Sequence, residues 1–415
     1  MIKKFLKDKE SKVLVDNYLS LLILQGANYL LPLLILPFLV RVLGTDKFGL
    51  VMFAQALSVF LTVFVDFGFN ISGTREVSLA RNNNKKLSEI FSAIIFIKLC
   101  LTIVALAILF FVINIFTRFS IDKSVYLFSF GIVIGQAIFP VWFFQGIEKM
   151  RFITLVNISA KLIFTLLVFI LIRQESDYIY VPVYNSLGFI IAGFLGLIFS
   201  FKYVKFKAPS YTMVKRLVAE SSSLFVSNFA TTLYTSSNVF ILGIFTGNTI
   251  VGVYASMEKL ILAVKNFYVP LYQAMYPWMA KQLDKDKVKN IKKITPYIIV
   301  TGLLITAIIL IFGKSILNLV YDDTLIESYV VIFKILSFIA IFSGLNMLYN
   351  ALYFPAIKKY KIRMNIMIAG GAVNLLLSLI LVKLYGIYGT AITVTFTEFV
   401  LLILGFYFFK REQKF

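Results

Sequence analysis

The sequence predicts an all-α polytopic membrane protein, with about twelve transmembrane helices in two parallel six-helix lobes and both termini in the cytoplasm. Three observations predict it. Of the 415 residues, 60% are hydrophobic and the mean hydropathy is +0.89, whereas a soluble domain has roughly 45–50% apolar residues. Apolar runs of about 20 residues, enough to cross a ~30 Å hydrocarbon layer as helix, fill almost the whole chain. The formal net charge of +21 is concentrated in alternate gaps between these runs.

The runs lie near 18–40, 48–70, 90–115, 124–144, 152–172, 179–201, 221–245, 250–278, 294–312, 326–353, 364–382 and 387–409. With the N-terminus inside, the cytoplasmic segments hold 29 Lys and Arg and the outer loops hold 7, the asymmetry of the positive-inside rule. In a soluble chain so basic a balance would suggest nucleic acid. Here it reads as topology and as attraction to the anionic lipids of the inner leaflet, so no nucleic-acid partner is expected. The sequence has no His, and its one cysteine, Cys100, falls inside a span, which argues against a disulfide framework or a metal site. The first apolar run is too long for a cleavable signal and lacks a small-residue cleavage site, so it is expected to remain as a start-transfer helix.

Taken in order, residues 1–17 carry Lys3, Lys4, Lys7, Lys9 and Lys12 and read as a cytoplasmic anchor. Pro32 and Pro37 bend the first span. A seven-residue hairpin, Arg41 to Lys47, is tightened by Gly44 and Gly49. In the second span Gln55, Ser58, Thr62 and Asp66 share one helix face, and such a stripe faces a neighbouring helix or a wet cavity. Asp66 is expected to act there as a structural cap or to pair with Arg75, or to carry a coupling role. Lys98 lies in span three. Lys161 lies in span five beside Asn157 and Thr165. Trp142, at the end of span four, suits an interfacial anchor.

The basic segment 202–220 separates an N-terminal lobe (1–201) from a C-terminal one (221–415). Span seven is unusually polar, with Asn228, Thr231, Thr235 and Asn238 on one face that serves either interhelical packing or a polar ligand. Span eight holds Glu258, Lys259 and Lys265. Glu258 and Lys265 share a face roughly 10 Å apart along the axis, a spacing that permits only a loose pair. Lys334 in span ten and Glu398 in span twelve complete the buried ionisable set. All outer loops are short, so none houses a catalytic module.

Six spans precede the midpoint and six follow. Gly44 and Gly49 recur as Gly247 and Gly252 with the same spacing, and Met150-Arg151-Phe152 aligns with Ile362-Arg363-Met364. Because six is even, the halves enter the membrane in the same direction, and the repeat is parallel, about an axis along the membrane normal.

The stretches Arg41-Val-Leu-Gly44-Thr-Asp-Lys-Phe48-Gly49, Asp66-Phe-Gly68-Phe, Thr74-Arg75-Glu76 and Pro140-Val-Trp142-Phe-Phe-Gln145-Gly146-Ile-Glu148 resemble the signatures of Wzx-type polysaccharide flippases of the MOP superfamily. Thr45 replaces the proline common after the first glycine, and the specific motifs lie in the first 150 residues. The resemblance implies that the chain moves an undecaprenyl-pyrophosphate-linked oligosaccharide, an O-antigen or capsule repeat unit, to the outer leaflet of the bacterial inner membrane. Alternating access would do this, around a cation-lined cavity between the lobes.

The residues suit that implication. Lys98, Lys161, Lys259, Lys265 and Lys334 each cost about 2.5–3.5 kcal/mol at a helix centre on insertion scales. Their excess over Asp66, Glu258 and Glu398 favours an anionic head group. The polar faces carrying Gln55 and Thr62, and Asn228, Thr231, Thr235 and Asn238, are the expected sugar contacts. No cofactor is expected. Protons, a cation gradient or the membrane potential would supply the drive, with the three acids as couplers. A polysaccharide polymerase and a chain-length regulator are the implied partners. A cation-coupled drug exporter of the same superfamily is the alternative, and its buried acids would outnumber its buried cations. A lipid II flippase usually has extra helices. An O-antigen polymerase needs a large outer loop. No GxxxxGK[ST] phosphate loop supports a nucleotide-driven pump.

Overall fold

The structure is a computed structural model that describes residues 9–280 and 282–413; Lys3, Lys4 and Lys7 of the expected N-terminal anchor lie outside them. Among the described residues every element is helical. In chain order these are α1 (Lys9–Asp66), α2 (Phe69–Ala80), α3 (Asn84–Ile115), α4 (Thr117–Ser120), α5 (Lys123–Ile138), α6 (Val141–Gly146), α7 (Met150–Leu171) and α8 (Tyr180–Ser200). Then come α9 (Tyr211–Phe245), α10 (Asn248–Ala280), α11 (Asp284–Tyr321), α12 (Thr324–Ser328), α13 (Val330–Ser337), α14 (Ile339–Met347), a π-helical turn (Leu348–Tyr353), α15 (Phe354–Ala356) and α16 (Tyr360–Glu412).

Eight helical stretches among the described residues are long and apolar enough to cross a membrane, and the protein is a multi-pass membrane protein. Two of them, Leu31–Ala80 and Tyr360–Glu412, have 50 and 53 residues, more than twice the ~20 that one crossing needs. Each is broken at a glycine: Gly44 at φ 69° and Gly386 at φ 54°, angles that cost a residue with a Cβ. The expected hairpin from Arg41 to Lys47 is therefore not an open loop. Helix runs up to Gly44 and resumes directly after it. Among the described residues, Thr235–Phe245 of α9 is a shorter apolar helix.

By contacts the chain forms two compact units, one of residues up to Ile35 together with Ala54–Phe229, the other of Leu36–Phe53 with Ala230–Phe415. In the first, an aromatic core gathers Phe69, Phe91, Trp142, Phe143 and Phe144. Trp142 is 0% exposed, which corrects the expectation of an interfacial anchor. Phe139 is extended and Pro140 begins a new short helix, which turns the indole inward against Phe91 at 5.7 Å between ring centroids. In the second, Tyr268, Tyr272, Tyr349, Tyr353 and Phe409 pack together, and the Tyr272 hydroxyl donates to the Gly344 carbonyl at 2.7 Å. The large residues left exposed, such as Ile103, Phe111, Ile311 and Leu376, suit a lipid surround.

The internal repeat is visible in the backbone. Glu148 and Lys358 both adopt positive φ, 58° and 60°. The next residues close matching turns, Lys149 N–H to Phe144 O at 2.8 Å and Lys359 N–H to Phe354 O at 2.9 Å. These turns lead into α7 at Met150 and α16 at Tyr360. The structural repeat thus pairs Met150 with Tyr360, two residues before Ile362 of the sequence alignment.

Within the second unit the segment on either side of Gly44 is fastened to α10 and α11. The Arg41 guanidinium donates to the carbonyls of Leu319, Val320 and Tyr321 at 3.1, 2.9 and 3.2 Å. These are among the last carbonyls of α11, which have no partner within the helix. Thr249 Oγ1 donates to Asp46 Oδ1 at 2.9 Å. The repeated glycines meet each other. A Cβ on Gly49 would lie 1.9 Å from the Asn248 carbonyl oxygen, and one on Gly252 would lie 2.0 Å from that of Thr45.

Candidate functional site

Among the described residues, each unit holds a small cavity built around a lysine–carboxylate pair. In the first unit the pair is Lys98 with Asp66, Nζ to Oδ1 3.5 Å. Asp66 is the last residue of α1, because Phe67 and Gly68 both take positive φ, 49° and 81°. A carboxylate at a helix C-terminus sits against the negative end of the helix dipole and gains from a cation. Lys98 of α3, 3% exposed, is that cation. The expected pairing of Asp66 with Arg75 is corrected: Arg75 is exposed on α2. Lys98 Nζ also donates to the Gln136 carbonyl at 3.3 Å. In helix that carbonyl would receive the N–H of residue 140, which is a proline and has none. Pro140 thus frees an acceptor for the lysine. Thr62, Asn70, Gln136 and Asn157 complete the lining of a cavity of about 80 Å³.

In the second unit Lys265 of α10 donates to Glu398 Oε1; Glu398, on α16, is 2% exposed. This ion pair stands beside the expected loose pairing of Lys265 with Glu258, which lines the same cavity. The other carboxylate oxygen accepts from Asn346 Nδ2 at 3.1 Å, and Asn350 Nδ2 donates to Asn346 Oδ1 at 2.7 Å. Asn350 falls in the π-helical turn Leu348–Tyr353, a feature often found at functional sites. A cavity of about 210 Å³ is lined by these carboxylate and lysine groups with Thr235, Asn238, Tyr254, Glu258 and Asn266. Behind it Asn374 Nδ2 reaches Asn238 Oδ1 at 3.4 Å and Thr397 Oγ1 at 3.3 Å. Both cavities fall below the roughly 300–1,000 Å³ of small-molecule sites. In this conformation each is sized for a hydrated ion or a few waters, not for a sugar chain.

Of the five lysines marked in the sequence, the structure brings Lys98 and Lys265 into these clusters. Lys161, Lys259 and Lys334 are half-buried and do not line either cavity. Thr62, Thr235 and Asn238 line a cavity; Gln55, Asn228 and Thr231 do not. The motif residues have a packing role. The Thr74 hydroxyl lies 3.1 Å from Gln145 Oε1 and 3.3 Å from the Trp142 carbonyl. A Cβ on Gly146 would come within 2.5 Å of Val77. The two signature stretches thus dock on each other as α2 against α6. Sequence reasoning missed Gln136, Asn266, Asn346, Asn350 and Asn374. Asn346 and Asn350, four apart in an apolar span, carried a legible signal.

The polysaccharide biosynthesis protein family matches the chain over residues 14–283. A protein of Escherichia coli K12, provisionally named an O-antigen transporter, is 30% identical over 96% of this chain and 97% of its own length. A provisionally named low-salt glycan biosynthesis flippase of Haloferax volcanii is 24% identical over 86% of this chain and 75% of its own. Among solved structures, an inward-facing multidrug resistance MATE family transporter of the MOP superfamily aligns with TM-score 0.68, 13% identity and coverage of 92% of this chain and 94% of that one. The lipid II flippase MurJ aligns with TM-score 0.68, 15% identity and coverage of 95% and 87%. At these identities the structures show the fold alone, a multi-span helical one shared with that transporter and with MurJ.

Proposed function

The chain belongs to the polysaccharide biosynthesis protein family, and on that premise we propose that it is a flippase for an undecaprenyl-pyrophosphate-linked oligosaccharide. The cargo is an O-antigen or capsule repeat unit, carried from the cytoplasmic to the outer leaflet of the bacterial inner membrane by alternating access. It acts as a transporter rather than an enzyme, upstream of a polymerase and a chain-length regulator. The observation that carries this reading is the end-to-end match to a relative named for O-antigen transport, on a fold shared with a lipid II flippase.

The buried pairs give the reading its chemistry. Lys98 and Lys265 are cations already held inside the protein, each with a carboxylate that occupies it until an anionic head group arrives. Asp66 and Glu398 are then the groups whose neutralisation releases the lysines. Outward movement of a pyrophosphate with roughly two negative charges gains about 2.3 kcal/mol per charge per 100 mV, so a potential negative inside assists export.

The test is deletion of the gene followed by analysis of surface polysaccharide and of the lipid-linked unit in each leaflet. Loss of long-chain polysaccharide with single units held in the cytoplasmic leaflet supports the flippase. Normal polysaccharide with increased drug sensitivity overturns it in favour of an exporter.

A further inference from the structure

Beyond the two cavities, the first unit carries an ion pair that the transport chemistry above leaves unused. Arg216, in the second turn of α9, donates from Nη2 to Glu76 Oε2 of α2 at 2.9 Å. Its side chain is 41% exposed, whereas that of Glu76 is 10% exposed. One turn or so further along α9, the hydroxyls of Ser221 and Ser72, both buried, lie 2.7 Å apart. Beyond them the rings of Phe225 and Phe67 stack at 4.9 Å and 10°. Phe64 meets Phe225 and Phe60 meets Phe229, each at 6.2 Å. Salt bridge, hydroxyl pair and aromatic zipper thus join α1 and α2 to the first half of α9. They start at the end that the charge distribution assigns to the cytoplasm.

The outermost member of this clasp is also the one whose chemistry fits the cargo. A guanidinium presents paired donors in a planar fork that suits carboxylate and phosphate alike. Glu76 takes one donor of that fork, Nη2, which also lies 3.3 Å from Met213 Sδ. The exposed part of the side chain lies at the end that the charge distribution assigns to the cytoplasm, where an undecaprenyl-pyrophosphate-linked unit begins its passage. Glu220, one turn along α9 at 4.0 Å from Arg216 Nε, adds a weak second carboxylate that a doubly charged head group outcompetes.

We propose that Arg216 is an entry site for the pyrophosphate group, and that its transfer from Glu76 to the phosphate opens the clasp between α2 and α9. This rests on the flippase reading and adds to it a site and a selection rule. An anionic pyrophosphate releases the clasp, whereas a polyprenol without phosphate does not. Loss of the Glu76 partner leaves the Ser72–Ser221 hydroxyls, the phenylalanine stack and the packing of Leu217 in the aromatic core, none of which carries charge.

The test uses the full chain in liposomes, with Cys100→Ser, Ser72→Cys and Ser221→Cys. The hydroxyl separation suits disulfide formation, so the rate of oxidative cross-linking reports the closed clasp. Undecaprenyl pyrophosphate should slow cross-linking by about fivefold or more, the lower end of typical coupling between binding and conformation. Undecaprenol should leave it unchanged, and Arg216→Gln should abolish the response. Inorganic pyrophosphate slowing it equally assigns recognition to the head group alone. An unchanged rate with undecaprenyl pyrophosphate, an equal effect of undecaprenol, or a response that survives Arg216→Gln overturns the proposal.

Should the double-cysteine protein fail to fold, thermal unfolding of the unsubstituted protein replaces it. Inorganic pyrophosphate should then raise the melting temperature of the native chain but not of Arg216→Gln, and no shift overturns the site. Gene deletion separates the two ideas. Lost polysaccharide with an unresponsive clasp leaves the flippase standing and removes the site. Normal polysaccharide with a responsive clasp does the reverse.

Discussion

Replacement of Asp66 by asparagine removes the counter-ion of a lysine that is 3% exposed. Lys98 Nζ would retain the Gln136 carbonyl at 3.3 Å as its acceptor, a neutral group freed only because Pro140 has no N–H. Breaking a buried pair by deleting one partner typically costs about 3–5 kcal/mol, whereas removing both charges together is often close to neutral. Asp66→Asn and Lys98→Met are therefore each expected to destabilise by about that amount. The double variant should cost no more than either single one, so the two costs fall short of adding by at least about 3–5 kcal/mol. Reversible unfolding of the purified protein in mixed micelles measures all four corners of the cycle. Additive effects of the two changes would show that the 3.5 Å contact does not couple the groups energetically, and the account of Asp66 as the partner of Lys98 would fall.

Other consequences follow from the same geometry. Gly49→Ala and Gly252→Ala each push a Cβ to about 2 Å from a backbone oxygen and should sharply lower the yield of folded protein. Gly247→Ala, with nothing within 4 Å of the added Cβ, should express normally by fluorescence size-exclusion chromatography apart from a few tenths of a kcal/mol. Glu398→Ala removes the carboxylate that accepts from Lys265 and Asn346 and should lower export of the proposed cargo by about tenfold or more, while Lys334→Ala, outside both cavities, should leave surface polysaccharide unchanged on a gel. If the membrane potential assists export, ionophore treatment of energised vesicles should slow flipping by about tenfold per 1.4 kcal/mol withdrawn; an unchanged rate removes the voltage contribution.

Much of the architecture was open to reading from residue spacing alone. Composition and charge asymmetry identify a multi-pass membrane protein. Thr62 and Asp66, the end of the polar stripe, line a cavity, whereas Ser58 donates to the Ser129 carbonyl; in the glycine repeat, Gly49 and Gly252 mark a real contact. What spacing does not carry is the choice of partner. Arg75, nine residues along the chain, is the visible partner for Asp66, because nothing local reveals that Phe67 and Gly68 end the helix and present the carboxylate to α3. Lys265 likewise had Glu258 on its own helix as the visible acid, while Glu398 lies 133 residues away. Phenylalanines are so frequent, 43 in the chain, that Phe60, Phe64 and Phe67 opposite Phe225 and Phe229 carry no distinguishing signal. Trp142 misled for a different reason. Its position beside a predicted membrane boundary is real, but the turn at Pro140 reverses the direction in which it points.

The meeting of Gly49 with Gly252 also constrains how this sequence is free to drift. Each added methyl would strike main-chain atoms contributed by the other repeat, Asn248 or Thr45, and no exchange of a neighbouring side chain moves a main chain out of the way. The two positions therefore form one inherited unit in which a first replacement at either has no compensating second replacement. Copies of the ancestral half that diverged elsewhere would keep this pair of glycines after most other traces of the duplication had faded.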